Sequence, residues 1–98
     1  MRKVAFISGA TRGIGRACAL KLASNGWDIV VAGRSVEPGE KLPGSIHTVA
    51  QEVRQCGATA LPVYLNLVEQ ETIDAAIAET LIAFGRIDAV INNAGALW

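Results

Sequence analysis

The fold is decided by the stretch Ser8-Gly9-Ala10-Thr11-Arg12-Gly13-Ile14-Gly15. It follows a run rich in Val, Phe and Ile and leads directly into a segment of helical period. Gly9 permits a tight turn, Gly13 lets the backbone approach a pyrophosphate, and Gly15 allows close packing of helix on strand. Because the amides that open the helix would face the phosphates, the stretch predicts a dinucleotide-binding turn between a strand and a helix.

Outward from this turn, strand-length apolar runs alternate with longer helical segments. The predicted strands are Arg2 to Ser8, Asp28 to Ala32, Ala60 to Leu65 and Ile87 to Asn92. The predicted helices are Ile14 to Asn25, Ser45 to Cys56 and Glu69 to Phe84. Runs without polar alternation are typical of parallel strands that are covered on both faces. The order βαβαβαβ therefore predicts an α/β fold with a parallel sheet and right-handed crossovers.

The spacing of apolar residues assigns each helix a side that faces the core. The three predicted sets are Ile14, Ala17, Cys18 and Leu22; Ile46, Val49, Ala50 and Val53; and Ile73, Ile77, Leu81 and Phe84. Ser45 is expected to cap the second helix and Gly85 to end the third. A polar loop with two prolines, Glu37 to Gly44, lies where it would approach a bound nucleotide.

Composition excludes several classes of protein. The 98 residues are 51% hydrophobic and 18% charged, and nine Lys and Arg balance nine Asp and Glu. A protein that binds nucleic acid by neutralising phosphates should be basic, and this chain is not. No apolar run approaches the length of a membrane span, and the run after Met1 is too short for a secretory signal, so we expect a cytoplasmic protein. Cys18 and Cys56 have no metal-ligand spacing and are predicted to be buried free thiols, and no metal site is expected.

Two motifs together resemble the classical short-chain dehydrogenase/reductase family. The glycines follow the pattern G-x-x-x-G-x-G, with Ser8 where the family has Thr, and Asn92-Asn93-Ala94-Gly95 matches the family's N-N-A-G at the end of the fourth strand. The segment from Lys41 to Thr48, which begins Lys-Leu-Pro-Gly, is similar to the hydroxysteroid-dehydrogenase-like branch. The resemblance implies that residues 1–98 are the N-terminal half of a doubly wound Rossmann domain with strand order 3-2-1-4.

The resemblance also implies the cofactor-binding residues. The first motif would bind the pyrophosphate and adenosine ribose through Gly9, Thr11, Arg12, Gly13, Ile14 and Gly15. The second would steady the sheet and line the ribose–nicotinamide channel through Asn93, Ala94 and Gly95. Asn66 and Leu67 match the family's Asp-Val/Leu pair that contacts adenine, and Asn keeps a carbonyl acceptor for the adenine amino group.

Two arginines point to the cofactor NADP(H) in preference to NAD. In NAD enzymes of this fold an Asp or Glu about 20 residues past the glycine turn holds the ribose 2′-hydroxyl. Gly33 occupies that place here, Arg34 follows it, and Arg12 lies inside the turn. A guanidinium binds a 2′-phosphate through several donors, so both arginines are candidate ligands.

The family's chemistry depends on a Ser and a Tyr-x-x-x-Lys, and no catalytic residue is assigned in these 98 residues. Tyr64 is the only tyrosine, and Val68 stands where the Lys should be. We therefore expect the cofactor-binding half of an oxidoreductase acting on alcohol or carbonyl groups. It would be a fragment of a larger enzyme, a split enzyme completed by another polypeptide, or an obligate homo-oligomer. Two alternatives stay open: a non-catalytic nucleotide-binding or interaction protein, and a truncated remnant.

Overall fold

In the computed structural model of the chain, residues 2–36 and 44–93 are described. They form strands β1 (Val4–Ser8), β2 (Asp28–Gly33), β3 (Ala60–Tyr64) and β4 (Ala89–Asn92), and helices α1 (Gly13–Ser24), α2 (Ile46–Gln55) and α3 (Gln70–Phe84). The predicted order βαβαβαβ is confirmed, and each element ends within two residues of its predicted bounds. Apart from Gly44, the predicted polar loop lies outside the described residues.

The strands form one parallel sheet in the order β3-β2-β1-β4. Phe6 at the middle of β1 lies opposite Val30 of β2 and Val90 of β4. The chain therefore builds outward from β1 through β2 to β3 and then returns past β1 to place β4 on the other side. This order confirms the predicted first half of a doubly wound α/β fold.

Each face of the sheet has its own apolar core. On the first face, Ala5, Ile7, Ile29 and Val31 pack with α1 and α2. On the second face, Val4, Phe6, Val30 and Ala32 pack with residues of α3. Because successive side chains of a strand point to opposite faces and both faces are covered, β1 is apolar from Val4 to Ile7 and β2 from Ile29 to Ala32.

Helix α2 follows its predicted pattern closely. All four residues of its predicted apolar side are buried, and Ser45 caps the helix by accepting a hydrogen bond from the Thr48 N–H at 3.1 Å. The Thr48 hydroxyl in turn accepts from the Ser45 N–H at 2.7 Å, which completes a reciprocal cap. This start places the first turn of α2 beside the end of β2, where the Ile46 N–H donates to the Ser35 carbonyl at 2.7 Å.

The predicted core-facing sides of α1 and α3 are wrong in part. In α1 the buried residues are Gly15, Ala19 and Ala23, while Ile14 is 73% exposed and Cys18 and Leu22 only flank the core. In α3 the buried residues are Ala76 and Thr80, and Ile77 and Leu81 are 40% and 48% exposed. Small side chains let a helix axis approach the sheet closely. The bulky residues on which the predicted pattern was based then lie on either side of the line of contact.

The cysteine prediction is also wrong in part. Cys56 is exposed because it follows Val53, the last buried residue of α2, and forms the C-cap of that helix. Cys18 is partly buried beside the core of the first face. Both thiols are free. Within residues 2–36 and 44–93, no helix has the length and hydropathy of a membrane span.

Charged pairs join elements that are distant in sequence. Arg16 of α1 contacts Glu52 of α2 through two hydrogen bonds, of which the Nε–Oε1 bond is 2.9 Å long. The hydrogen bond from Arg16 lowers the pKa of the Glu52 carboxyl, and burial acts in the opposite direction. At the N-terminal edge of the sheet the Asp88 carboxylate accepts from the Val4 N–H at 2.8 Å and from Arg86, which lowers the pKa of Asp88.

The Arg16–Glu52 pair predicts an acid-dependent part of the stability. The pKa of Glu52 is lowered in the folded state. The pair therefore adds to the free energy of unfolding at a pH above the unfolded-state pKa of about 4.3, and this addition is lost as the pH falls through the folded-state pKa. The pair is partly exposed, so Glu52→Gln should cost less than about 1 kcal/mol at neutral pH and make the melting temperature less sensitive to acid. Thermal unfolding followed across the acidic range tests this. Glu79→Gln, on the exposed side of α3, is the matched control and should melt like the unaltered chain; equal acid sensitivity of Glu52→Gln and the unaltered chain would contradict the prediction.

Candidate dinucleotide site

The glycine turn lies at the carboxyl edge of the sheet, between the ends of β2 and β4. Gly9 and Gly13 both have left-handed backbone conformations, with φ of 67° and 61°. The Ala10 N–H donates to the Ala32 carbonyl at 3.2 Å and so ties the turn to the end of β2. The left-handed φ values explain why glycine stands at these two places, since other residues adopt them at a cost.

Gly15 is required for a different reason, which is the approach of α1 to β1. A Cβ atom at this position would lie 2.2 Å from the Gly9 carbonyl oxygen and 2.8 Å from the Asn93 Nδ2. No side chain fits in that space without displacing the backbone. The predicted role of Gly15 in close helix–strand packing therefore has a direct geometrical basis.

Hydrogen bonds join the glycine turn to the end of β4. The Ser8 hydroxyl donates to the Asn92 Oδ1 at 2.9 Å and accepts from the Asn93 N–H at 3.2 Å. The Asn93 side-chain amide donates to the Gly9 carbonyl at 3.2 Å. The two sequence motifs are thus in direct contact, and Ser8 retains the function of a hydroxyl at its position. Ala94 and Gly95 lie outside the described residues.

In the described part of the chain, no side-chain capping bond is made at the start of α1. Arg12 is the N-cap residue, and its backbone is extended. No acidic residue lies in the first turn, so no carboxylate side chain competes for the positive end of the helix dipole. The opening amides of any α-helix lack intrahelical acceptors, which makes this end suited to an anion. Ile14, 73% exposed, lies beside them.

The Arg12 side chain extends from the turn toward the end of β2. Its guanidinium donates to the Thr11 hydroxyl at 3.2 Å and to the Ser35 hydroxyl at 3.2 Å. Thr11 is buried, and its methyl group lies 3.1 Å from where a Gly33 Cβ would be. Arg34 follows on the exposed surface. The structure thus brings Arg12 into contact with Ser35, the residue after Arg34, at the place where the sequence lacks an acidic residue.

The charges of Arg12 and Arg34 are not neutralised by neighbours in the described part of the chain. Arg2, Arg16 and Arg86 each contact a carboxylate. Across residues 2–36 and 44–93, Arg12 contacts only neutral hydroxyls, and no carboxylate pairs with Arg34. An arginine held by neutral acceptors keeps its full charge and spare donors for an anionic ligand.

Asn66 and Leu67 follow β3, at the same edge of the sheet but beyond β2. The Asn66 Oδ1 accepts from the Val68 N–H at 3.2 Å, and its Nδ2 donates to the Glu69 carboxylate at 3.0 Å. Leu67 is 44% exposed. The Asn66 side chain therefore shapes the turn into α3, and its carbonyl keeps one lone pair for a further donor.

Sequence reasoning missed Ser35. A hydroxyl residue directly after Arg34, at the end of a strand that leads to the nucleotide edge, was a usable sign of an anion-binding group. Tyr64 ends β3 and is 43% exposed. No cluster of three metal-ligating side chains was found in the described part of the chain.

Comparison with known proteins gives relatives over nearly the whole chain. The model of the family described as short chain dehydrogenase matches residues 3–98. Hydroxysteroid dehydrogenase-like protein 2 from Xenopus laevis is 47% identical over 92 residues, which are 94% of this chain and 22% of that protein. The protein of the same name from Homo sapiens is 44% identical over the same shares. The chain thus spans about a fifth of these curated relatives.

Solved structures of similar sequence have the same fold as this chain. A short chain dehydrogenase from Mycobacterium thermoresistibile has a TM-score of 0.92 and 42% identity, over 98% of this chain and 34% of that one. A carveol dehydrogenase from Mycobacterium avium, solved in complex with NAD, has a TM-score of 0.81 and 33% identity, over 96% of this chain and 36% of that one. With the family model matched almost end to end, and relatives in the hydroxysteroid-dehydrogenase-like branch, this chain belongs to the short-chain dehydrogenase family, of whose fold it forms the N-terminal part.

Proposed function

We propose that residues 1–98 are the dinucleotide-binding part of an NADP(H)-dependent oxidoreductase that acts on alcohol or carbonyl groups. The observation that carries the choice of cofactor is Arg12, whose guanidinium bonds to the Ser35 hydroxyl, beside Gly33 and Arg34, with no carboxylate paired to it in the described residues. The site suits an anion at the point where NAD enzymes of this fold place an acid.

The pyrophosphate of the cofactor would bind at the start of α1. A helix start without a side-chain cap, a first turn without acidic residues and the absence of a Cβ at Gly13 all favour two negatively charged phosphates there. The hydrogen bonds that Asn93 donates to the Ser8 hydroxyl and the Gly9 carbonyl hold the turn in this shape. The donor set therefore fits the phosphate groups of a dinucleotide, and relatives support it, since the carveol dehydrogenase carries NAD on the same fold.

The 2′-phosphate of NADP(H) would bind between Arg12 and Arg34. Arg12 lies in the glycine turn and Arg34 directly follows β2. Ser35 adds a hydroxyl that can donate or accept a hydrogen bond. The Ile46 N–H holds the Ser35 carbonyl, so the position of this residue is fixed by the capped start of α2. Arginine favours phosphate because its planar group offers several donors at once.

The rest of the cofactor would extend along the same edge. Adenine would lie toward Asn66 and Leu67, and the nicotinamide side toward Asn93 and, outside the described residues, Ala94 and Gly95. Bound NADP(H) supplies hydride transfer at the nicotinamide ring. The chain's own residues bind and orient the cofactor, and we assign none of them to proton transfer, because Tyr64 ends the β3 strand without a lysine four residues later.

A larger assembly belongs to the same proposal. Residues 1–98 would form the first part of the Rossmann domain, completed by a further polypeptide segment or by homo-oligomer formation. The proposal places the protein in the cytoplasm, where its two free thiols would remain reduced. Cell fractionation tests that placement.

Replacing Arg34 tests the cofactor preference. Arg34→Asp should weaken NADPH binding at least about 10-fold more than NADH binding, because only NADPH loses a charge-assisted contact and gains a repulsive carboxylate. Fluorescence titration of the reduced nicotinamide measures both affinities. Lys21→Asp makes the same change of charge in the last turn of α1, away from the site, and should leave the ratio unaltered. Equal weakening of both dinucleotides by Arg34→Asp would overturn the preference.

Replacing glycines in the turn separates crowding from backbone strain. The added Cβ of Gly13→Ala would have no atom within 4 Å. This variant should therefore lose only the free energy that a left-handed φ costs a residue with a side chain, about 1–2 kcal/mol. Gly15→Ala would bring a methyl group to 2.2 Å from the Gly9 oxygen, so it should destabilise the chain more than Gly13→Ala and abolish dinucleotide binding. Urea unfolding and the same titration measure the two effects. A Gly15→Ala variant as stable as the unaltered chain would show that α1 and β1 are not in this close contact.

A further inference from the structure

Gly44 directly precedes Ser45, the N-cap of α2, and lies against the glycine turn. A Cβ atom on Gly44 would be 2.6 Å from the Thr11 carbonyl oxygen, too close for the two atoms unless the backbone moves. The φ of Gly44 is 100°, in the left-handed region where a side chain is strained. Conformation and contact thus both require glycine at this position, although it lies outside the two sequence motifs.

The Thr11 side chain packs where β2 ends and α2 begins. Thr11 is buried, and its methyl carbon lies 3.1 Å from the position that a Gly33 Cβ would take. The Cγ2 atom of Ile46, in the first turn of α2, lies 3.5 Å from the same position. The end of β2 and the start of α2 therefore enclose Thr11, with Gly44 against its carbonyl and Gly33 against its methyl group.

The start of α2 also holds both groups that orient Arg12. The Arg12 guanidinium donates to the Thr11 hydroxyl and to the Ser35 hydroxyl, each at 3.2 Å. The Ser35 carbonyl accepts from the Ile46 N–H at 2.7 Å, and the Thr11 carbonyl is in contact with Gly44. A displacement of the start of α2 would therefore move both acceptors and change the direction of the guanidinium.

The other half of the glycine turn is held by different contacts. Asn93 donates through its side chain to the Gly9 carbonyl and through its N–H to the Ser8 hydroxyl. These bonds come from the end of β4, whereas the start of α2 acts on the residues that hold Arg12. A change at Gly44 should therefore affect the position proposed for the 2′-phosphate more than that proposed for the pyrophosphate.

We propose that Gly44 is a positioning residue for the 2′-phosphate of NADP(H). Because it has no side chain, the start of α2 reaches the Thr11 carbonyl, and this contact fixes the direction of the Arg12 guanidinium. Gly44 acts through Thr11 and Arg12. The proposal rests on the proposed function and adds a residue to the choice between NADPH and NADH, and one of its measurements uses no cofactor, so the two can fail separately.

Gly44→Ala tests the proposal through the ratio of the two affinities. The variant should weaken NADPH binding at least about 10-fold more than NADH binding, because only NADPH carries the phosphate that Arg12 would bind. The matched control is Gly57→Ala, just beyond the other end of α2, where φ is 90° and no atom lies within 4 Å of the added Cβ. It carries a similar backbone strain without the contact and should leave the ratio unaltered. A general loss of stability would weaken both dinucleotides alike.

A second variant loosens the same contact without adding an atom to it. The Thr48 hydroxyl accepts from the Ser45 N–H at 2.7 Å and so holds the peptide that joins Gly44 to Ser45. Thr48 is exposed, so Thr48→Val removes this acceptor and leaves the core intact. We expect it to weaken NADPH binding about 3-fold more than NADH binding, in keeping with the loss of one hydrogen bond. If Gly44→Ala does not fold, Thr48→Val decides in its place.

The guanidinium resonances of Arg12 give a readout that needs no cofactor. In ¹⁵N–¹H spectra of the ligand-free chain they should move in Gly44→Ala and in Thr48→Val and stay in place in Gly57→Ala. If the unaltered chain binds neither dinucleotide, the proposed function fails and these resonances alone decide whether Gly44 positions Arg12. The proposal is overturned if both variants keep the Arg12 resonances of the unaltered chain, or if a folded Gly44→Ala keeps its ratio of NADPH to NADH affinity.

Discussion

The contact between the ends of β1 and β4 is the constraint on which the rest of the site depends. Ser8 and Asn93 are 85 positions apart in sequence, yet their hydroxyl and amide meet at 3.2 Å, and the Asn93 side chain also holds the Gly9 carbonyl. The contact forms only when β4 has crossed back past β2 to pair with β1. It therefore couples the shape of the glycine turn to completion of the four-stranded sheet, and the local turn alone does not determine the site.

Two opposite requirements meet at the glycine turn. The left-handed Gly9 and Gly13 make the turn possible, and the crowded Gly15 makes it compact. The same compactness requires small residues along α1, where Ala19 and Ala23 continue the contact with the sheet. The close approach of α1 thus constrains the composition of a whole helix face.

The element order and the position of the turn could be predicted from the sequence, because both depend on local patterns: continuous apolar strands, helical spacing and glycine placement. The strand order was predicted from the resemblance to the short-chain dehydrogenase/reductase family, since local spacing does not determine which strands pair. The prediction was wrong in part for the buried sides of α1 and α3. Ala76 and Thr80 are the buried residues of α3, but a pattern of large apolar side chains does not reveal small residues such as these. The role of Ser35 also escaped, because it depends on where the Arg12 side chain extends across the turn. Contacts between distant segments are decided by packing, which spacing alone does not encode.

The two faces of the sheet differ in how fully helices cover them. The first face is closed by α1 and α2, whereas α3 leaves Ile77 and Val90 exposed on the second. Ile77 and Leu81, which the apolar pattern of α3 assigned to the core, are therefore about half exposed in the described part of the chain.

The central claim is that this chain binds a phosphorylated dinucleotide at the glycine turn. The most direct measurement is the ¹⁵N–¹H spectrum of the labelled chain titrated with NADPH up to about 1 mM, a concentration that detects binding as weak as about −4 kcal/mol. We predict shifts of the amides from Gly9 to Gly15 and of Arg34 and Ser35, with the amides at the opposite edge of the sheet, near Asp28 and Asp88, unchanged. An unchanged spectrum, or shifts centred on that opposite edge, would contradict the account.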